Sequence, residues 1–148
     1  MSEEIDLLLR DLALSPDHQP VLLKEVIDGF IPLRSRELIR YFDGTFGRGG
    51  HYRALKKVFP QMHAVVLDQD DEAEKYAVEE FKTEVQNQEL RFIKQNFSQF
   101  SELNLGVFDM MLLDLGVSSP QLDKAERGFS FYQQGPLDMR MNQQSELT

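Results

Sequence analysis

The sequence predicts an α/β fold built on a parallel sheet, and two features carry that reading. Short apolar runs of strand length alternate with segments of helical periodicity, and the runs end on an acid or on a glycine-rich turn. Chains of this kind join parallel strands through helices that cover both faces of the sheet, and they bind ligands beyond the carboxyl ends of the strands.

The elements follow in order. Ile5, Leu8, Leu9 and Leu12 recur at helical spacing before Ser15-Pro16, and Leu23, Val26, Ile27 and Phe30 do so before Pro32. Residues 1–32 are therefore expected to form amino-terminal helices, and 33–148 the sheet-bearing domain. "ELIRYFDGTF" reads as a strand entering the turn "DGTFGRGGH", which holds four of the nine glycines. "HYRALKKVF" reads as the helix leaving it, with Tyr52, Leu55, Val58 and Phe59 on one side. "HAVVLD" is a second strand ending at Asp68, Ala73, Tyr76, Ala77 and Phe81 mark another helix face, and "LRFIK" is a third strand. "VFDMMLLD" is a fourth, almost continuously apolar and ending at Asp114.

Composition bounds the chemistry. With 148 residues the chain has room for one domain with a core, and 41% hydrophobic and 28% charged residues are those of a globular protein. No apolar run reaches the roughly 20 residues of a membrane span, and the first residues lack a basic leader and a small-residue cleavage site, so a cytoplasmic protein is expected. The absence of cysteine excludes disulfides, thiolate metal sites and cysteine nucleophiles. A net charge of -9 disfavours binding nucleic acid through the overall field, yet residues 31–60 carry seven bases and two acids while 61–90 carry nine acids and two bases. The basic block is either a solvated helix face or a phosphate-facing patch.

Candidate site residues gather where the strands end. Gly47, Gly49 and Gly50 permit positive φ and let a ligand lie against the backbone, although their spacing does not fit the dinucleotide fingerprint G-x-G-x-x-G. Asp68, about 20 residues beyond that turn, stands where a carboxylate accepts hydrogen bonds from a ribose diol; its alternative is to cap the next helix, which Asp70 or Asp71 could do as well. Asp114 enters the same crevice, ahead of the polar loop "LGVSSPQLD", and Asp43 can cap the glycine turn. "ERGFSF" and "GPLDMRM" place Arg127, Phe129, Phe131, Asp138 and Arg140 in a region without period, suited either to a base or phosphate or to a self-packed loop. His18 and His51 have no second ligand at metal spacing, so no metal is expected.

With these residues assembled, the chain resembles the S-adenosylmethionine-dependent methyltransferases that modify the exocyclic N(4) amine of a cytosine in small-subunit ribosomal RNA. "HQPVLLKEV", "DGTFGRGGH", "LDQD", "NFSQF", "LLDLGVSSPQLD", "ERGFSF" and "GPLDMRM" resemble that family's signatures in order, from His18 to Arg140. The resemblance implies a Rossmann-like class I methyltransferase sheet flanked by helices. It further implies that Gly49, Gly50 and His51 contact S-adenosylmethionine, that Asp68 holds the ribose hydroxyls, that Phe97 flanks the adenine, and that Asp114 and Gln121 complete the pocket. Asp114 or the backbone carbonyls of the following loop are then the candidate acceptors for the amine, because the Asp/Asn-Pro-Pro-aromatic motif that many amino-methyltransferases use there is replaced by Asp114-Leu115-Gly116-Val117.

The sequence departs from the family pattern in places. Tyr52 stands where a serine is expected, Asp71 replaces a proline, and Gln134 and Asn142 stand where acids are usual. Family members continue well beyond "DMRM", so the carboxyl-terminal strands are expected to be missing here. That leaves an unprotected sheet edge suited to self-association and makes the chain either the cofactor-binding portion of a longer enzyme or a short relative. Small-subunit ribosomal RNA is the implied partner, with no membrane. Two other readings are a non-catalytic S-adenosylmethionine-binding scaffold and, against the glycine spacing, a nicotinamide-dependent oxidoreductase.

Overall fold

The computed structural model describes residues 2–10, 20–116, 122–130, 132–144 and 146. His18, Gln121 and Phe131 lie outside them. Four parallel strands form one sheet in the order β3-β2-β1-β4: β1 is Ile39–Asp43, β2 Met62–Asp68, β3 Leu90–Lys94 and β4 Met110–Leu112. Helix α1 (Ser2–Arg10), α2 (Leu23–Phe30), α3 (Gly50–Val58), α4 (Asp71–Glu80) and α5 (Lys82–Gln86) complete the order. Short 3₁₀ turns cover Ile31–Leu33, Phe97–Leu103 and Ala125–Arg127.

Register explains the core. Ile39 pairs with Met62, and Tyr41 with Ala64 and Met110, while Ala64 pairs with Leu90; all point to one face and are buried. Against that face pack Ile27 of α2, Leu55 and Val58 of α3, and Ala77 of α4. Tyr52, in the place expected for a small serine, is fully buried and meets Phe81 edge to face at 5.1 Å, with Phe46 beside both. The expected helical face of Tyr52, Leu55, Val58 and Phe59 is buried throughout. Asp70 caps α4, accepting from the Glu72 N–H at 3.0 Å, and the acids Asp71, Glu72 and Glu74 in its first turn suit the helix dipole.

The opposite face of the sheet carries the 3₁₀ turn Phe97–Leu103. Among the described residues it is covered chiefly around Phe42, whose ring meets Phe100 at 4.6 Å and Phe108 at 5.4 Å. His63, Arg91 and Met111, level with the Arg40 and Phe42 rows, remain exposed. The fourth strand is also shorter than "VFDMMLLD". Before it, the Asp109 carboxylate accepts from the Arg40 N–H at 2.8 Å and pairs with Arg36, which bends the chain into β4. After it, the Asp114 N–H is taken by the Thr45 hydroxyl at 2.7 Å instead of continuing a ladder. The apolarity of Val107 and Leu113 therefore marks an uncovered surface, not a strand interior.

Gly49 is the residue preceding α3, at φ 67°. A Cβ there would lie 2.7 Å from both Phe46 Cζ and Phe81 Cε2, inside the aromatic cluster. Gly49→Ala is expected to cost about 1–3 kcal/mol of stability through left-handed strain plus overpacking, measured by chemical denaturation; an unchanged midpoint would contradict this packing.

Candidate cofactor site at the strand ends

The glycine turn is shaped by two acids at strand ends. Asp43, buried at the close of β1, accepts from the Tyr41 hydroxyl at 3.0 Å and the Thr45 N–H at 2.9 Å, so it caps the turn as its position suggests. Burial pushes its carboxyl up to about 6, against the lowering effect of those donors and of His51. Desolvation by burial, followed by the charge and hydrogen bond of Asp43, raises the Tyr41 phenol well above its ordinary value. Thr45 Oγ1 lies 3.3 Å from the same carboxylate and accepts the Asp114 N–H, which links the end of β1 to the segment after β4.

Asp68 closes β2 and accepts from the Gly47 N–H at 2.8 Å and the Asp70 N–H at 2.9 Å. Because Asp70 performs the helix capping, Asp68 is left beside the turn. Burial raises its carboxyl above the ordinary range, opposed by the Asp70 and Gly47 N–H groups. A cleft of about 400 Å³ opens between these ends, large enough for a cofactor-sized molecule. Asp68, Phe97 and Asp114 line it, together with Gly44, Gly47 and Met141.

The fit of the glycines is unequal. A Cβ on Gly44 would meet Leu113 Cδ2 at 2.4 Å and Phe97 Cβ at 2.8 Å, so only glycine lets the floor of the cleft close on itself. Gly47 has φ 56° and open space where a Cβ would stand. At Gly49 and Gly50 the Cβ direction is filled by protein, Gly49 facing Phe46 and Phe81 and Gly50 facing Pro20 at 2.7 Å. His51 is buried there too, its Nε2 2.9 Å from the Val21 carbonyl oxygen and its Nδ1 4.0 Å from Asp114 Oδ2. With Nε2–H donating to that carbonyl, Nδ1 is the atom facing the Asp114 carboxylate. His51 thus braces Val21 and stands beside Asp114, both of which reach the cleft.

The substrate candidates are also redistributed. Arg127 and Phe129 turn inward: Arg127 is fully buried, with Nη2 2.8 Å from Asp70 Oδ2 and its guanidinium over the Phe129 ring. Asp138 and Arg140 pair with each other, Nε to Oδ1 at 2.6 Å, half-buried. The basic block of 31–60 is largely engaged as well. Arg53 pairs with Glu80 at 2.8 Å, Lys56 with Glu89 at 2.9 Å, and Arg36 with Asp109. Sequence reasoning did not single out Gly44, Thr45, Gln69, Asn96 or Met141. Asn96 alone carried a local signal, as the cap that accepts from the Ser98 N–H at 2.9 Å.

A parallel sheet with acids after β1, β2 and β4 around one glycine turn defines the Rossmann-like class that holds a nucleotide-type cofactor at its carboxyl edge. The chain belongs to the MraW methylase family, whose profile matches residues 15–148. Over 134 residues it is 65% identical to a Bdellovibrio bacteriovorus protein named Ribosomal RNA small subunit methyltransferase H, covering 90% of this chain and 41% of that one. A Crocosphaera subtropica protein of the same name is 44% identical over 131 residues, covering 88% of this chain and 40% of the relative. The chain thus spans about two fifths of the length of the curated relatives it matches. A solved Staphylococcus aureus structure, described as a caffeoyl-CoA O-methyltransferase, shares the fold at a TM-score of 0.50 and 18% identity, over 72% of this chain and 51% of that one.

Asp43 gives a pH test. Its carboxyl binds a proton more tightly when folded, about 6 against an ordinary 3.8, so its contribution is greatest below the ordinary value and is lost as pH rises to about 6. The stability of the wild type relative to Asp43→Asn is expected to fall across that window in urea denaturation series, and parallel curves would show that Asp43 is not desolvated.

Proposed function

We propose that this chain is the cofactor-binding portion of an S-adenosylmethionine-dependent methyltransferase that acts on the exocyclic N(4) amine of a cytosine in small-subunit ribosomal RNA. The observation that carries the reading is the placement of Asp68 and Asp114 on one cleft of about 400 Å³ floored by the Gly44–Gly47 turn. The names of the relatives support the substrate, and the family match supports the cofactor.

When bound, S-adenosylmethionine supplies an electrophilic methyl group carried on a positively charged sulfur. The residues of the chain bind and orient. Asp68, already ordered by two N–H donors, accepts from the ribose hydroxyls, and Phe97 offers an apolar wall to the adenine. The turn allows close backbone approach at Gly44 and Gly47, and Gly49, Gly50 and His51 keep the cofactor contacts that the family resemblance implies, with His51 Nε2 held on the Val21 carbonyl.

Asp114 serves the amine. A cytosine amine is a poor nucleophile because its lone pair is delocalised, so it must be held in line and its developing charge stabilised. The Asp114 carboxylate, half-exposed at the cleft and fixed through its N–H to Thr45, is an acceptor for a hydrogen of that amine and a candidate for its proton. Gln121 keeps the place beside the cofactor that the family resemblance implies, and Phe131 stays a candidate for substrate contact. Asp138 and Arg140 stay candidates for RNA contact as a pair, and Arg127 and Phe129 would act from within the fold. No described helix is long and apolar enough to cross a membrane. Among the described residues β4 pairs only with β1, and its outer edge is the surface through which self-association would run; a monomer at every concentration in sedimentation would reject that part.

Calorimetric titration with S-adenosylmethionine and S-adenosylhomocysteine tests the cofactor. Asp68→Ala is expected to weaken binding by about 1.5–3 kcal/mol, since a charged acceptor is lost. Because the Asp68 carboxyl sits above the ordinary range, wild-type affinity is expected to fall as pH drops through that raised value, and the variant should lack the dependence. Equal affinity of the two proteins would remove Asp68 from the pocket. Methyl transfer to small subunits lacking the modification, assayed with the longer protein, tests the reaction.

A further inference from the structure

Three consecutive residues at the end of β2 make three separate contacts. Asp68 and Gln69 line the cleft, while Asp70 turns the other way and meets Arg127 at 2.8 Å and 3.4 Å. From there Arg127 Nη2 donates to the carbonyl oxygens of Arg140 at 3.3 Å and Met141 at 3.0 Å, and the Arg127 carbonyl accepts the Met139 N–H at 3.0 Å. The segment around 125–128 is packed backbone to backbone on 135–139. A Cβ on Gly128 would lie 2.5 Å from the Pro136 oxygen, and one on Gly135 1.9 Å from the Ala125 oxygen. Met141 in turn lines the cleft, and its sulfur accepts from Gln69 Nε2 at 3.1 Å.

We propose that Arg127 is a positioning residue for the cofactor cleft: by gripping the carbonyls of Arg140 and Met141 it holds the Met141 side chain as a wall of that cleft, at a distance from Asp68 set by the Asp70 ion pair. The inference rests on the cofactor reading above and adds a residue that touches no ligand itself. A buried pair is a poor source of net stability, and here the Arg127 Nε also has no acceptor, which adds a desolvation cost. What the arrangement secures is location: the strap 127–141 is anchored two residues from the carboxylate that receives the ribose.

The test is the double variant Asp70→Asn/Arg127→Met, alone and combined with Met141→Ala. Asparagine keeps the cap of α4, and removing both charges leaves neither buried and unpaired. Stopped-flow measurement is expected to show S-adenosylhomocysteine leaving roughly tenfold faster from the double variant, with association little changed. Met141→Ala should do the same, and the two sets combined should add little, because both act at the same side chain. Additive effects, or unaltered dissociation in a variant that still unfolds cooperatively, would overturn the proposal. Should the double variant not fold, Arg127→Lys keeps a charge opposite Asp70 but gives up the forked grip on the carbonyls; it must then show the faster dissociation and the same dependence on Met141, and wild-type rates would overturn the proposal. A wild type that fails to bind S-adenosylhomocysteine overturns the cofactor reading, an outcome separate from a wild type that binds beside unaffected variants.

Discussion

Shared register along parallel strands is the constraint on which the site depends. Asp43 stands level with Val66 on one side and Leu112 on the other, so the strands leave the sheet around a single point, with Asp68 two residues higher. The chain after β1 must turn in the space left between its neighbours, which is why a Cβ on Gly44 would strike Leu113 and Phe97. A carboxylate buried at that level has to be satisfied locally, and Tyr41 and Thr45 satisfy it. The Thr45 hydroxyl then orders the Asp114 backbone. The positions of Asp43 and Asp68 are thus inherited from the ladder, and that of Asp114 from the Thr45 contact just beyond it.

The uneven charge of the sequence resolves across the fold. The bases of 31–60 and the acids of 61–90 face one another where α3 lies beside α4 and the start of β3, as Arg53 with Glu80 and Lys56 with Glu89. Partly exposed pairs of this kind add little stability each. They nonetheless use up cations that would otherwise form a phosphate-attracting surface, which favours the solvated-face reading for that block. Arg48 remains over the Tyr76 ring as a cation–π contact at 5.5 Å.

What could be read from sequence follows burial. Strands β1 to β3 and helices α2 to α4 were legible because a buried face imposes a period, and the place of Asp68 beside the glycine turn because it closes a strand next to that turn. The fourth strand was read too long, since apolarity alone does not distinguish a strand interior from the uncovered face that carries Met111 and Leu113. Glycines look alike in sequence: Gly49 and Gly50 make room for Phe46, Phe81 and Pro20, while Gly44 and Gly47 border the cleft, and only the surroundings separate the two cases. The burial of Arg127 was hidden for a related reason. Its partner Asp70 is 57 residues away, and no local pattern announces that an arginine will be buried.

The strand order carries a last consequence, for the sequence of events in folding. β1 is central, and its pairing with β2 spans only the α3 connection, whereas its pairing with β4 joins positions some 70 residues apart. Closing the longer loop gives up more chain entropy before any contact returns it, and β4 offers just three residues in exchange. The β3-β2-β1 unit with its helices is therefore expected to form first, with β4 docking on its edge. On that order Asp114 would come with β4, and the cleft would gain its second acid with the longest-range pairing.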